Sequence, residues 1–125
     1  MKAFSFTCRE TPALSDAADC ATFDLRGYID AHTVIEFEKT VNSVIEAGTH
    51  CIILDISGLS YISSAGIGAM MGLTRKLNQL SGELILLNPT PKVYAILDGL
   101  GFTKIFKIAN SENEAMEKIR SRAPA

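Results

Sequence analysis

Two short, unbroken apolar runs constrain this chain more than anything else in it. Cys51, Ile52, Ile53 and Leu54 form one; Leu84, Ile85, Leu86 and Leu87 form the other. A strand with one wet face alternates apolar and polar residues, whereas a strand covered on both faces is apolar throughout. Both runs therefore predict buried central strands. Between them a helical spacing runs from about Ala65 to Leu80, with Ile67, Met70, Met71, Thr74 and Leu77 facing inward. Gly82 is placed to stop that helix.

The flanks extend the same alternation of strand and helix. Phe4, Phe6 and Cys8 alternate with polar residues, as do residues 22–26 around Phe23 and Leu25, and these two strands are expected to form an antiparallel edge pair. Residues 11–19, with Pro12, Ser15, Asp16 and Asp19, predict a loop. A first helix opens near Thr33, which forms a capping box with Glu36, and carries Val34, Phe37, Val41 and Val44 up to Gly48. Thr90 and Pro91 open a third helix whose buried face is Val93, Ile96, Leu97 and Leu100, with Gly99 and Gly101 ending it. Residues 105–108 predict a last strand. A second capping box, Ser111 with Glu114, opens a terminal helix carrying Ala115, Met116 and Ile119, and residues 121–125 are expected to fray. The order predicts one α/β domain over residues 1–125, a mixed sheet of four to five strands packed by about four helices.

The chain has 125 residues, 47% of them hydrophobic and 21% charged, enough for one real core. Its net charge of −2 and lack of a basic block argue against nucleic acid as the main partner. No apolar run approaches the roughly 20 residues of a membrane span, and the start has no apolar signal region. A cytoplasmic protein without a membrane partner is the expectation. Cys8, Cys20 and Cys51 have neither zinc spacing nor a disulfide framework, and His32 and His50 lie near no ligand cluster, so no metal and no cofactor is expected.

The chemistry concentrates after the first apolar run. Asp55 ends it, a polar turn follows, and Ser63 and Ser64 then open the second helix. Hydroxyls there stand beside unpaired amides and the positive end of the helix dipole, a place that tolerates phosphate. Ser64 is a candidate cap or a modification site; Ser63 is a cap or a hydrogen-bonding neighbour. Asp30 is a turn acid before Thr33, a contact to a partner, or a group that helps position the target hydroxyl. Asp55 orients the serine loop or satisfies turn amides. Ala65, Gly68, Ala69 and Gly72 form a stripe of small residues, which serves either close packing or a flat docking surface.

With those residues in view, the chain resembles a STAS domain, the fold of bacterial anti-sigma factor antagonists. The resemblance is carried by residues 27–33 (Gly-Tyr-Ile-Asp-Ala-His-Thr), 55–68, and 93–102 followed by Ile105, Phe106, Lys107 and Ile108. It implies a non-catalytic, protein-binding switch in transcription regulation. Its partner would be an anti-sigma factor that is also a serine kinase of the ATP-binding, histidine-kinase-like type. The unphosphorylated antagonist captures that partner and frees the sigma factor. Phosphorylation breaks the capture and a serine phosphatase resets it. The family's modified serine lies two residues before the glycine, which here is Ser64 before Gly66, with Ser63 the runner-up. The acid that precedes it in the family pattern is Ser63 in this chain. The implied docking residues are Asp30, Ser63, Ser64, Ala65, Gly68, Ala69 and Gly72.

Three other readings remain at this point. A STAS scaffold or a regulatory subunit of a transport system would not need Ser64 to be modified. An enzyme using Asp55 and Ser64 lacks a placed histidine base and an oxyanion element. A phosphoaspartate receiver on Asp55 lacks the paired acids and the late lysine in their expected places.

Overall fold

The computed structural model describes residues 5–10 and 20–120. The alternation at Phe4, Phe6 and Cys8, the 11–19 loop and the 121–125 tail lie outside what it describes, apart from the backbone of residues 5–10. Strand β1 (Ser5–Glu10) is followed by β2 (Cys20–Ile29), α1 (Val34–Glu46), β3 (Cys51–Ile62) and α2 (Ser64–Gln79). Then come β4 (Glu83–Leu87), α3 (Pro91–Gly99), a short 3-10 helix (Phe102–Lys104), β5 (Lys107–Ala109) and α4 (Glu112–Arg120). The strands form one sheet in the order β1-β2-β3-β4-β5. β1 runs antiparallel to β2, and β2 through β5 are parallel. The mixed sheet and the antiparallel edge pair are as the sequence predicts.

The two apolar runs sit at the centre of this sheet. Ile52, Leu54, Leu84 and Leu86 face the main core with residues of α1, α2 and α3, among them Phe37, Val41, Met70, Leu77, Val93 and Leu97. Ile53, Ile85 and Cys51 face the other way, onto Ala115 and Ile119 of α4. Every residue of β4 is buried, which is why its sequence shows no alternation. Cys51 lies in that second core and Cys20 is half-buried beside it.

Strand β3 departs from expectation. It does not end at Asp55 in a polar turn but continues to Ile62, 12 residues where the apolar run has four. β4 pairs only as far as Asp55, and from there β3 bonds to β2 alone, through register shifts after Asp24 and Gly27. Ile56, Leu59 and Ile62 are the buried residues of this stretch. The bulges change their spacing from two to three, so the alternation that marks a strand is absent. Gly58 makes the bulge possible: a Cβ there would lie 2.8 Å from the Leu25 carbonyl oxygen. The result is a two-stranded extension whose carboxyl ends carry Asp30 and Ser63 to one rim of the sheet.

Two smaller corrections lie after α3. That helix stops at Gly99, so Leu100 is 60% exposed rather than part of its buried face. The last strand begins at Lys107, not residue 105, and Ile105 is 52% exposed in the link before it.

Candidate functional site

The rim is organised by the pairing of Ile29 with Ile62, the last residues of their strands. The Ser63 amide donates to the Ile29 carbonyl at 2.9 Å, which ties the start of α2 to the turn that opens α1. Asp30 and Ser63 therefore stand on adjacent parallel strand ends, the edge of an α/β sheet where ligands usually bind.

At α1 the predicted capping box does not form. Thr33 has helical backbone angles, φ −91° and ψ −16°, and its side chain makes no cap bond. A cap needs extended angles for its oxygen to reach the next turn. Thr33 Oγ1 instead accepts from the Asp30 amide at 3.0 Å. Asp30 takes over the polar work of the turn. Its Oδ1 accepts from the amides of His32 at 2.9 Å and Thr33 at 3.0 Å. The Thr33 amide, more than anything else, holds the Asp30 carboxyl below its ordinary value, against partial desolvation; the His32 amide adds to it.

At α2 the cap does form, on Ser63. Its backbone is extended, φ −88° and ψ 171°, and its Oγ accepts from the Gly66 amide at 3.3 Å. Ser64 is then the first residue of the helix and is exposed. The amides of Ser64 and Ala65 fall in the turn that has no intrahelical acceptors. Gly66 is buried against the rim: a Cβ there would sit 2.7 Å from Ile29 Cγ2 and 2.9 Å from Ile62 Cγ1.

The small-residue stripe divides. Gly68 and Gly72 are exposed, and a Cβ on either would meet nothing within 4 Å. Ala65 is half-buried. Ala69, however, is 6% exposed and belongs to the main core, so it is removed from any docking face. It lies one residue past Gly68, about 100° further round the helix, and that step carries it under the surface.

Asp55 has its structural role. Its Oδ1 accepts from the Ser57 amide at 3.1 Å and from the Ser57 hydroxyl at 2.8 Å. It sits within β3 rather than at a strand end, and β1 is antiparallel, unlike the all-parallel 2-1-3-4-5 sheet of receiver domains.

The sequence gives little sign of one further feature. A hollow of about 140 Å³ lies between α2 and the turn after α3, lined by Ser64, Ile67, Gly68, Met71, Leu100 and Phe102. Leu100, which lies past the end of α3, forms part of the wall, whereas helical spacing assigns Leu100 to the core.

Comparison with known proteins places this geometry. A sequence model of the STAS domain matches residues 11–115. BtrV of Bordetella bronchiseptica, named as an anti-sigma factor antagonist, is 30% identical over 80% of this chain and 86% of its own length. The anti-sigma F factor antagonist of Lysinibacillus sphaericus is 32% identical over 77% of this chain and 82% of its own. The unphosphorylated form of the anti-sigma factor antagonist SpoIIAA superposes with a TM-score of 0.74 at 27% identity, covering 98% of this chain and all of that one. The phosphorylated form of SpoIIAA, from Bacillus, superposes with a TM-score of 0.66 over 94% of this chain.

Proposed function

Because this chain belongs to the STAS domain family, we propose that it is an anti-sigma factor antagonist switched by phosphorylation of Ser64. Unphosphorylated, it captures an anti-sigma factor that is also a serine kinase of the histidine-kinase-like, ATP-binding type, and the sigma factor goes free. The kinase moves the γ-phosphoryl group of ATP onto Ser64 Oγ, the bond to ADP breaks, and the hydroxyl proton leaves to the kinase. The modified chain lets go, and a serine phosphatase returns it to the capturing state. The chain is the phosphoryl acceptor and performs no catalysis. Its place of action is the cytoplasm, where sigma factors and ATP are; among the described residues no helix is long and apolar enough to cross a membrane.

One observation carries this reading: Ser64 is exposed at the first position of α2 while its neighbour Ser63 is occupied as the cap. A kinase can reach Ser64 without dismantling the helix start, whereas modifying Ser63 would sacrifice the bond to Gly66. Phosphate adds about −1.5 to −2 charges at neutral pH. In the free domain the unpaired amides and the helix dipole accept that charge. Under a docked partner it loses hydration and ejects the partner with the fold intact. Asp30, Ser63, Ala65, Gly68 and Gly72 complete the docking face.

The test uses the purified histidine-kinase-like ATPase encoded nearest to this chain's gene. Ser64→Asp is expected to weaken capture at least tenfold, and Ser64→Ala to capture like the parent chain. With ATP, mass spectrometry should place the phosphate on Ser64. Equal capture by the two variants removes the switch, and a phosphate found on Ser63 alone moves it by one residue.

A further inference from the structure

The hollow beside Ser64 does not stand alone. A second depression continues along α2, walled by Met71, Thr74, Arg75, Asn78 and Ile105, and Met71 belongs to both. Together they make one groove between α2 and the chain that links α3 to β5. Its near half is apolar, with Ile67, Met71, Leu100 and Phe102. Its far half is mixed, with Met71 and Ile105 beside Thr74 and Asn78, and carries Arg75, which is exposed and has no ion-pair partner among the described residues. Leu100 and Ile105 both stand mostly in water along it, at 60% and 52% exposure.

Magnitude decides what such a groove holds. The hollow is about 140 Å³ and the depression beyond it about 170 Å³; each alone is short of the roughly 300–1,000 Å³ of small-molecule sites and the two together only reach its lower limit, so each half suits one side chain. Arg75 calls for a carboxylate. Gly68 and Arg75 are seven residues apart on α2, about 10 Å along its axis. The groove starts at Ser64, so it is continuous with the docking face already assigned.

We infer that this groove seats a single segment of the captured kinase, with an apolar side chain in the hollow and an acidic side chain at Arg75. The inference rests on the Ser64 reading above and deepens it. An apolar anchor and an acid some 10 Å apart correspond to residues three apart in an extended segment or seven apart in a helix. The same placement explains ejection: phosphate on Ser64 stands on the wall of the hollow that the anchor must enter dry.

Gly68 supplies a test that misfolding cannot mimic. Its added side chain meets nothing in the domain, and replacing glycine inside a helix favours the fold. Gly68→Leu should therefore raise Tm by about 3 °C while filling the hollow. Its Kd for the same kinase, by calorimetry, should rise at least tenfold. Arg75→Glu should raise Kd about threefold in ~0.1 M salt, and by more when salt is lowered. Unchanged affinity in both variants, with Ser64→Asp still releasing, overturns the groove and leaves the Ser64 reading standing. Loss of binding by Gly68→Leu with Ser64→Asp still bound overturns the switch and keeps the groove. Loss by Gly68→Leu alone, with Arg75→Glu unaffected, overturns the acidic half of the motif. If Gly68→Leu converts the chain alone from dimer to monomer in sedimentation, the occupant is a second copy and the inference falls.

Discussion

At the start of α1 a carboxylate lies inside the turn: Asp30 takes the amides of His32 and Thr33, and Glu36 adds another acid in the first helical turn. At the start of α2, on the neighbouring strand end, a neutral hydroxyl takes one amide, and the first turn holds no acid at all. The two starts share one rim and one sheet, yet one already holds its anion and the other does not. Helix starts attract negative charge through their free amides and dipole. The lesson is that two helix starts on one rim differ in charge: the free amides of α1 already face an anion, and those of α2 face only a neutral hydroxyl.

The comparison depends first on how closely α2 is held to the rim, and Gly66 tests that most severely. Its Cβ position is already within 3 Å of two isoleucine side chains. Gly66→Val should cost about 3 kcal/mol through overpacking at a point with no room to relax. Urea unfolding measures it; a loss below about 1 kcal/mol would mean that the helix start slides freely and that the two ends are not fixed side by side.

Ser63 probes the cap itself, with a smaller effect. Ser63→Ala should cost about 1 kcal/mol, the usual worth of an N-cap. Ser63→Asp keeps an acceptor and adds the missing anion, so α2 comes to resemble α1. It should gain about 0.5 kcal/mol at low ionic strength and lose that gain in high salt. A variant no more stable than the parent chain at any salt concentration would show that the α2 start has no unmet demand for negative charge.

What the sequence makes legible follows from the same physics. The central strands are plain because residues buried on both faces must be apolar, whatever else surrounds them. The start of α3 is plain because Thr90 and Pro91 act locally: Thr90 Oγ1 accepts from the Val93 amide as expected. The outer half of β3 is not, since its bulges space Ile56, Leu59 and Ile62 by three and leave neither a strand nor a helix signature. Thr33 misleads for a related reason. Thr33 and Glu36 carry the capping-box pattern, but the backbone at Thr33 is already helical, and no composition reveals a dihedral angle. Ser63 and Ser64 can be placed at a helix start from sequence, yet their division into cap and exposed hydroxyl turns on which one has extended angles. The groove is invisible to pattern because helical spacing assigns Leu100, part of its wall, to the core, and Ala69 is misplaced because one residue's turn separates surface from core.

The smallest effect expected is a dependence on pH, and it separates the two helix starts cleanly. The ordinary value for Asp30 is 3.8, and the Thr33 amide foremost holds it lower in the folded chain. The folded state therefore binds this proton more weakly than the unfolded state does. Its stabilising contribution is complete above the unfolded value, about pH 4, and is lost as pH falls through the lowered folded one. Asp30→Asn keeps an oxygen facing the two amides but cannot titrate. The difference in Tm between the parent chain and Asp30→Asn should be flat from about pH 5 to 8 and shrink below about pH 4. The native α2 start, with no acid in its first turn, supplies no such acid limb, so Ser63→Asp should acquire one where Ser63→Ala does not. A gap between the parent chain and Asp30→Asn that persists unchanged at pH 3 would mean the amides of His32 and Thr33 do not favour the charged carboxylate. The charge contrast between the two ends would then have to rest on Glu36 alone.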